Sequence, residues 1–178
     1  MRKLVLLALA VVVPVLAIAG YAAASERSEA AKVASATARF HDLDVAKSEG
    51  WNVHVADLAG LTCIANGADG AMGDHFANGA LLFDHGAIDA TTPEALVYET
   101  RNNGTFKLVA LEYIVTKADW EEAHGANAPR PNLFGQDFDF SDANNRFGLP
   151  PFYSLHAWIW KDNPSGLLKP WNPRVSCG

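Results

Sequence analysis

The chain has 178 residues, a formal net charge of −6 and 49% hydrophobic residues, including five Trp and nine Phe. So many large apolar side chains exclude an intrinsically disordered chain. The acidic surplus, spread along the chain rather than clustered, excludes a basic face for binding nucleic acid.

Met1-Arg2-Lys3 begins the chain with positive charge, and Leu4 to Ala19 is an apolar run interrupted only by Pro14. Gly20-Tyr21-Ala22-Ala23-Ala24 closes the run with mostly small residues, and Ser25 to Glu29 turns abruptly polar. This order reads as an export signal over residues 1–24, cut after Ala24. The alternative is an N-terminal membrane anchor, because residues 4–24 are long enough to cross a bilayer once as a helix. Either way residues 25–178 form one domain outside the cytoplasm, periplasmic or extracellular, free or tethered through residues 4–24. Arg2 and Lys3 are the only charges in the leader, so the domain beyond it keeps 12 basic and 20 acidic residues, a formal charge near −8.

Cys63 and Cys177 are the two cysteines. In an exported chain an even pair reads as a disulfide. It closes a loop of about 114 residues, for which the chain-entropy model gives about 4–5 kcal/mol. It also pins the C-terminal tail to the first third of the domain. The competing role, a reactive thiol at Cys63, needs a positioned base that the sequence does not display.

Residues 26–49 read as one amphipathic helix, with Val33, Ala36, Phe40 and Leu43 on its buried face and Gly50 as its cap. Trp51 to Val55 reads as extended. Residues 56–74 are rich in Ala and Gly and read as loop or short helix, and the run from Met72 to Leu82 has too many glycines for a long helix. The clearest element is a hairpin: Ala95–Glu99, a turn at Asn102-Asn103-Gly104, then Phe106–Val115. Lys117 to His124 reads as a short helix capped by Thr116. Gly125 to Pro131 is a linker, and Leu133 to Phe140 reads as a strand. Tyr153 to Trp160 carries bulky residues on both faces, which predicts a central strand. The tail from Asn163 has three prolines and is expected to wrap over the domain. The economical fold is a single α+β domain, a mostly antiparallel sheet with the N-terminal helix packed on it.

No Gly-x-Ser-x-Gly elbow, phosphate-binding Gly-rich loop, His-Glu-x-x-His or Cys-x-x-Cys-His occurs in the chain, which argues against common hydrolases, nucleotide enzymes and c-type cytochromes. Three residues stand out against their surroundings. His75 sits in a Gly- and Ala-rich apolar stretch. Glu112 sits in an apolar strand on the side of Leu108, Ala110 and Ile114. His156 sits in the central strand beside Ser154, Trp158 and Trp160. Titratable groups among such neighbours must be paired, metal-bound or shifted in pKa. Two imidazoles and a carboxylate suit zinc, or divalent iron or manganese, with coordination positions left open. The plainer reading of the three is a structural hydrogen-bond network; if they converge without a metal, Glu112 and a His form an acid–base pair. His41, His54, His85 and His124 are weaker candidates. Asp137, Asp139 and Asp142 fail the calcium-loop pattern, since Asp142 stands where the loop needs Gly. Phe147, Phe152, Tyr153, Trp158, Trp160 and Trp171 form a late aromatic cluster, suited to core or to an apolar ligand pocket.

The segments Met72–Phe76, Pro93–Glu99, Leu108–Val115 and Asn172–Cys177 resemble those of a group of uncharacterised exported bacterial proteins. The resemblance covers most of the domain and implies a bacterial exported protein, with no assigned activity to carry over. The expected function is a module binding a small ligand, a metal or a protein partner, and not nucleic acid. The alternative is a metal-dependent enzyme built on His75, Glu112 and His156. Membrane contact is expected only through an uncleaved leader.

Overall fold

The computed structural model describes residues 28–177, so the signal or anchor reading of residues 1–24 lies outside the described part. Helix α1 spans 28–37 and runs into a 3-10 turn, Ala38–His41. The expected single helix over 26–49 is broken at Asp42. Asp42 takes an extended conformation, and its carboxylate accepts from the backbone N–H groups of Asp44 and Val45. A side chain that caps a new helix competes with continuing the old one, and α2 (Leu43–Ser48) starts there. Gly50 follows α2 at φ +113°, the cap conformation that its position predicts.

The rest is an antiparallel sheet of seven strands: β1 (Val53–His54), β2 (Cys63–Ala65), β3 (Ala71–Ala77), β4 (Ala95–Thr100), β5 (Phe106–Thr116), β8 (Asp139–Ser141) and β9 (Phe152–Ala157). The order is β1-β3-β4-β5-β9-β8, with β2 also paired to β3. A short helix α3 (Gly79–Leu82) follows β3, and α4 (Lys117–His124) follows β5, capped by Thr116 as expected. The hairpin 95–115 and the strand beginning near Tyr153 stand together in the sheet, and the domain is α+β with the N-terminal helices packed on one face.

Three further elements differ from expectation. Residues 71–77 form a strand with partners on both sides. Its glycine is a packing requirement: Gly73 has φ +112°, and a Cβ there would lie 2.4 Å from the Tyr98 carbonyl oxygen. The run Leu133–Phe140 is split into β6 (Asn132–Leu133), β7 (Gln136–Asp137) and β8, because Phe134 and Gly135 adopt positive φ and reverse the chain. The strand expected over 153–160 ends at Ala157. Trp160 therefore turns to the helix side, where its indole N–H donates to the Thr37 hydroxyl.

One face of the sheet packs on the N-terminal helices. Phe76, Leu96, Tyr98, Leu111, Tyr113 and Leu155 meet Val33, Phe40, Ala46 and Trp51. The polar tips in this layer find backbone partners: the Tyr98 hydroxyl donates to the Phe40 carbonyl (2.6 Å), and the Trp51 indole donates to the Pro93 carbonyl (2.9 Å). On the opposite face Val97, Val109 and Ala110 pack with Ala71, Trp158 and Val175 of the tail. The tail has no regular structure of its own beyond one bridge, Ala71 to Asn172. The Cys63–Cys177 disulfide ties it down, with a Cα–Cα distance of 5.6 Å. An intramolecular disulfide suits an oxidising compartment outside the cytoplasm. Among the described residues no helix is long and apolar enough to cross a membrane.

Candidate metal centre

Three strands bring the three singled-out residues to one face. Glu112 on β5 stands directly opposite His156 on β9. His75 on β3 is two strands from β5, with β4 between them. Neighbouring strands are about 4.8 Å apart, so His75 reaches Glu112 diagonally across β4. Val97 stands opposite His75, and Ala95, which pairs with both Ala77 and Glu112, is the small residue on that diagonal. A bulge completes the arrangement. Val97 opposes Ala110 and Tyr98 opposes Leu108, which leaves Val109 unpaired on β5. The extra residue reverses the alternation of side chains. Leu108 thus joins the helix-side core, whereas Ala110 packs on the tail side. This corrects the expectation that Leu108 shares a side with Glu112.

His75 Nε2 lies 3.3 Å from His156 Nε2 and 3.3 Å from Glu112 Oε2. His156 Nδ1 is 3.6 Å from Glu112 Oε1, too long for a hydrogen bond. One ligand atom from each residue lies within 4.8 Å of the other two, and all three residues are buried. Among the described residues this is the one His/Cys/Asp/Glu cluster with such spacing. A tetrahedron with metal–ligand bonds of about 2.0–2.1 Å has edges of about 3.3 Å.

Burial dominates the electrostatics. It pushes the Glu112 carboxyl up to about 8, against an opposing contact with the Ser154 hydroxyl. It pushes His75 down to about 4, with the Asp74 carboxylate and the Gly73 backbone acting the other way and His54 adding to the fall. It holds His156 well below the usual imidazole range, and His75 lowers it further. At neutral pH the trio without a cation therefore holds a carboxylic acid and two neutral imidazoles. Neutral imidazole is the form that ligates metals, so only Glu112 has a proton to surrender. The hydrogen bonding within the trio is poor. His75 Nε2 faces two partners and can give one proton to only one of them, and His75 Nδ1 is buried with no partner.

A cavity of about 50 Å³ adjoins the trio. His75 and Glu112 are its polar walls, Ala77 and Ala95 belong to the sheet beneath, and Phe147, Leu149 and Phe152 close it from the side of β9. Val55, Leu82 and Ile114 complete an apolar lining. A larger groove of about 560 Å³ runs between α1, the turn Phe134–Gln136 and the segment Gly166–Lys169, and shares no residue with the trio.

The other candidates do not join the site. His54 lies 3.0 Å from the Asp74 carboxylate, which also accepts from the Thr100 hydroxyl, and its ring stacks on Phe76. His41 packs edge-on against Trp160, and His124 stacks on Trp120. His85 is an exposed loop residue with positive φ. Asp137 accepts from Asn132, and Asp142 caps its own turn through the Asn144 N–H. Of the late aromatics, Phe147 and Phe152 line the cavity, whereas Tyr153 belongs to the helix-side core. Sequence reasoning missed Asp74 and Leu149. Asp74 carried a signal, a lone carboxylate beside His75 in an apolar run; Leu149 in a Pro-rich turn carried none.

No protein-family model, no curated protein sequence and no solved structure matches this chain.

Proposed function

We propose that this domain is an exported metal-centred binding module. It holds one divalent cation, with zinc as the first choice, on His75, Glu112 and His156, and presents an open coordination position to a small ligand. The observation that carries this reading is the spacing of the ligand atoms. Three buried ligand atoms, one from each residue, lie within 4.8 Å of one another, His75 Nε2 stands 3.3 Å from both of the others, and their own hydrogen bonds leave them poorly satisfied. No Lys or Arg shifts the titration of Glu112. A buried carboxylate with no cationic partner must stay protonated or take a metal. Structural zinc sites close with four protein ligands, whereas sites that act on a molecule keep one position free. Three ligands beside a cavity fit the second kind.

That open position also supports a second reading, a metal-dependent enzyme in which the ion activates water or polarises a bound molecule. Export itself is part of the proposal. It rests on the leader and the disulfide, and a cleaved N-terminus in the extracytoplasmic fraction is the expected result of fractionation.

Metal analysis of protein purified without chelator or affinity tag tests the centre. One ion per chain is expected in the wild type. Glu112→Gln and His156→Ala should lose it while keeping the circular dichroism of the fold. His54→Ala should keep it, because His54 pairs with Asp74 outside the trio. Unchanged stoichiometry in Glu112→Gln and His156→Ala retires the site.

A further inference from the structure

The cavity beside the trio is small and almost wholly apolar. We propose that the open position admits only a diatomic or linear triatomic molecule, the size of dioxygen, carbon dioxide or azide, and excludes carboxylates, phosphates and rings. This rests on the metal reading above and specifies what the metal takes.

Size is the first argument. One ordered water occupies about 10–15 Å³ of such space. The cavity's volume of about 50 Å³ therefore holds a few atoms, far fewer than an amino acid or a sugar needs. Ligand pockets for drug-sized molecules run to about 300–1,000 Å³. Chemistry is the second. Apart from His75 and Glu112, every lining side chain is Ala, Val, Ile, Leu or Phe. A phosphate or carboxylate placed there finds no donor for its outer oxygens, and burying such oxygens unpaired is costly. A small, weakly hydrated molecule loses little on entering. Access is the third. The inner wall (His75, Ala77, Ala95, Glu112 and Phe152) is buried, whereas Phe147 and Leu82 are half-buried and Leu149 is exposed. Phe147 and Leu149 thus stand at the mouth and set the size limit.

Cobalt(II) in place of the native ion gives a visible spectrum that reports its ligands. Wild-type protein loaded with Co²⁺ is expected to show d–d bands that His156→Ala does not show; absence of these bands in the wild type overturns the metal reading, and this inference with it. Azide should then shift the bands of the wild type in a saturable way. Acetate, phosphate and imidazole should need at least tenfold higher concentration or have no effect. Phe147→Ala and Leu149→Ala should open the mouth, so that imidazole binds at least tenfold better while azide binding changes little. With cobalt bound, either of two results overturns the size limit and leaves the metal reading standing. One is that imidazole or phosphate shifts the wild-type bands as readily as azide. The other is that no probe, azide included, shifts them.

Discussion

The two faces of the sheet share one backbone and carry opposite chemistry. The helix-side face presents Phe76, Leu96, Tyr98, Leu111, Tyr113 and Leu155. The tail-side face sets His75, Glu112 and His156 among Ala77, Ala95 and Ala110, with Val97, Val109 and Trp158 beside them. Small residues there make room for three long titratable side chains to lean together, and the large residues on the other side supply the burial that stabilises the fold. The contrast is sharpest in adjacent residues of β4, where Ala95 lies beside the trio and Leu96 in the helix-side core. A buried polar cluster is tolerated where a second layer already holds the domain together.

The largest effects should come from what holds the layers. Replacing Cys63 and Cys177 by Ser frees the tail and should cost about 2–5 kcal/mol, read as a lower denaturation midpoint. Leu96→Ala should cost about 2–5 kcal/mol by leaving a cavity, yet leave metal uptake unchanged. Its neighbour tests the other face. Ala95→Leu should cost about 1–3 kcal/mol by overpacking and abolish metal uptake, since it fills the space His75 crosses. Equal metal loss in Leu96→Ala and Ala95→Leu would erase the distinction between the faces.

The pH dependence comes next. Burial also raises the Glu94 carboxyl to about 8, although its Oε2 accepts from the Ile114 N–H. For Glu94 and Glu112 the unfolded chain releases its proton near the ordinary carboxylate pKa while the folded chain keeps it. Each therefore lowers stability as pH rises from about 4.5 to about 8. His75 acts in the opposite sense below its ordinary value, adding stability as pH rises from about 4 to 6.5. Metal-free protein should then lose stability between pH 6.5 and pH 8, where only the acids act. Added zinc should flatten that slope by the share of Glu112, because binding takes its proton, and leave the share of Glu94. Thermal melts with and without zinc across this range check both slopes. The smallest effect is expected for His54→Ala. Asp74 keeps its bond from Thr100, so the loss should be about 1 kcal/mol.

Local patterns in the sequence marked the elements whose causes are local. The turn Asn102-Asn103-Gly104 places the β4–β5 hairpin, and Thr116 caps α4 through the Asp119 N–H. Titratable residues in apolar runs mark the trio. Elements set by distant neighbours were not legible. The strand 71–77 looks broken by glycine until the Tyr98 carbonyl is seen to need the space. The bulge at Val109 is a property of pairing between two strands, so no reading of β5 alone places Leu108 on the far side from Glu112.

The order of residues by itself determined the α+β class, the cysteine pair and which side chains were out of place, because periodicity, turn chemistry and residue type act over a few positions. Only the tertiary structure decided that His75, Glu112 and His156 meet, that Ala95 leaves them room and that Phe147 and Leu149 wall a space beside them. Those facts depend on strand order and register, and hydrophobic packing settles both across the whole domain at once.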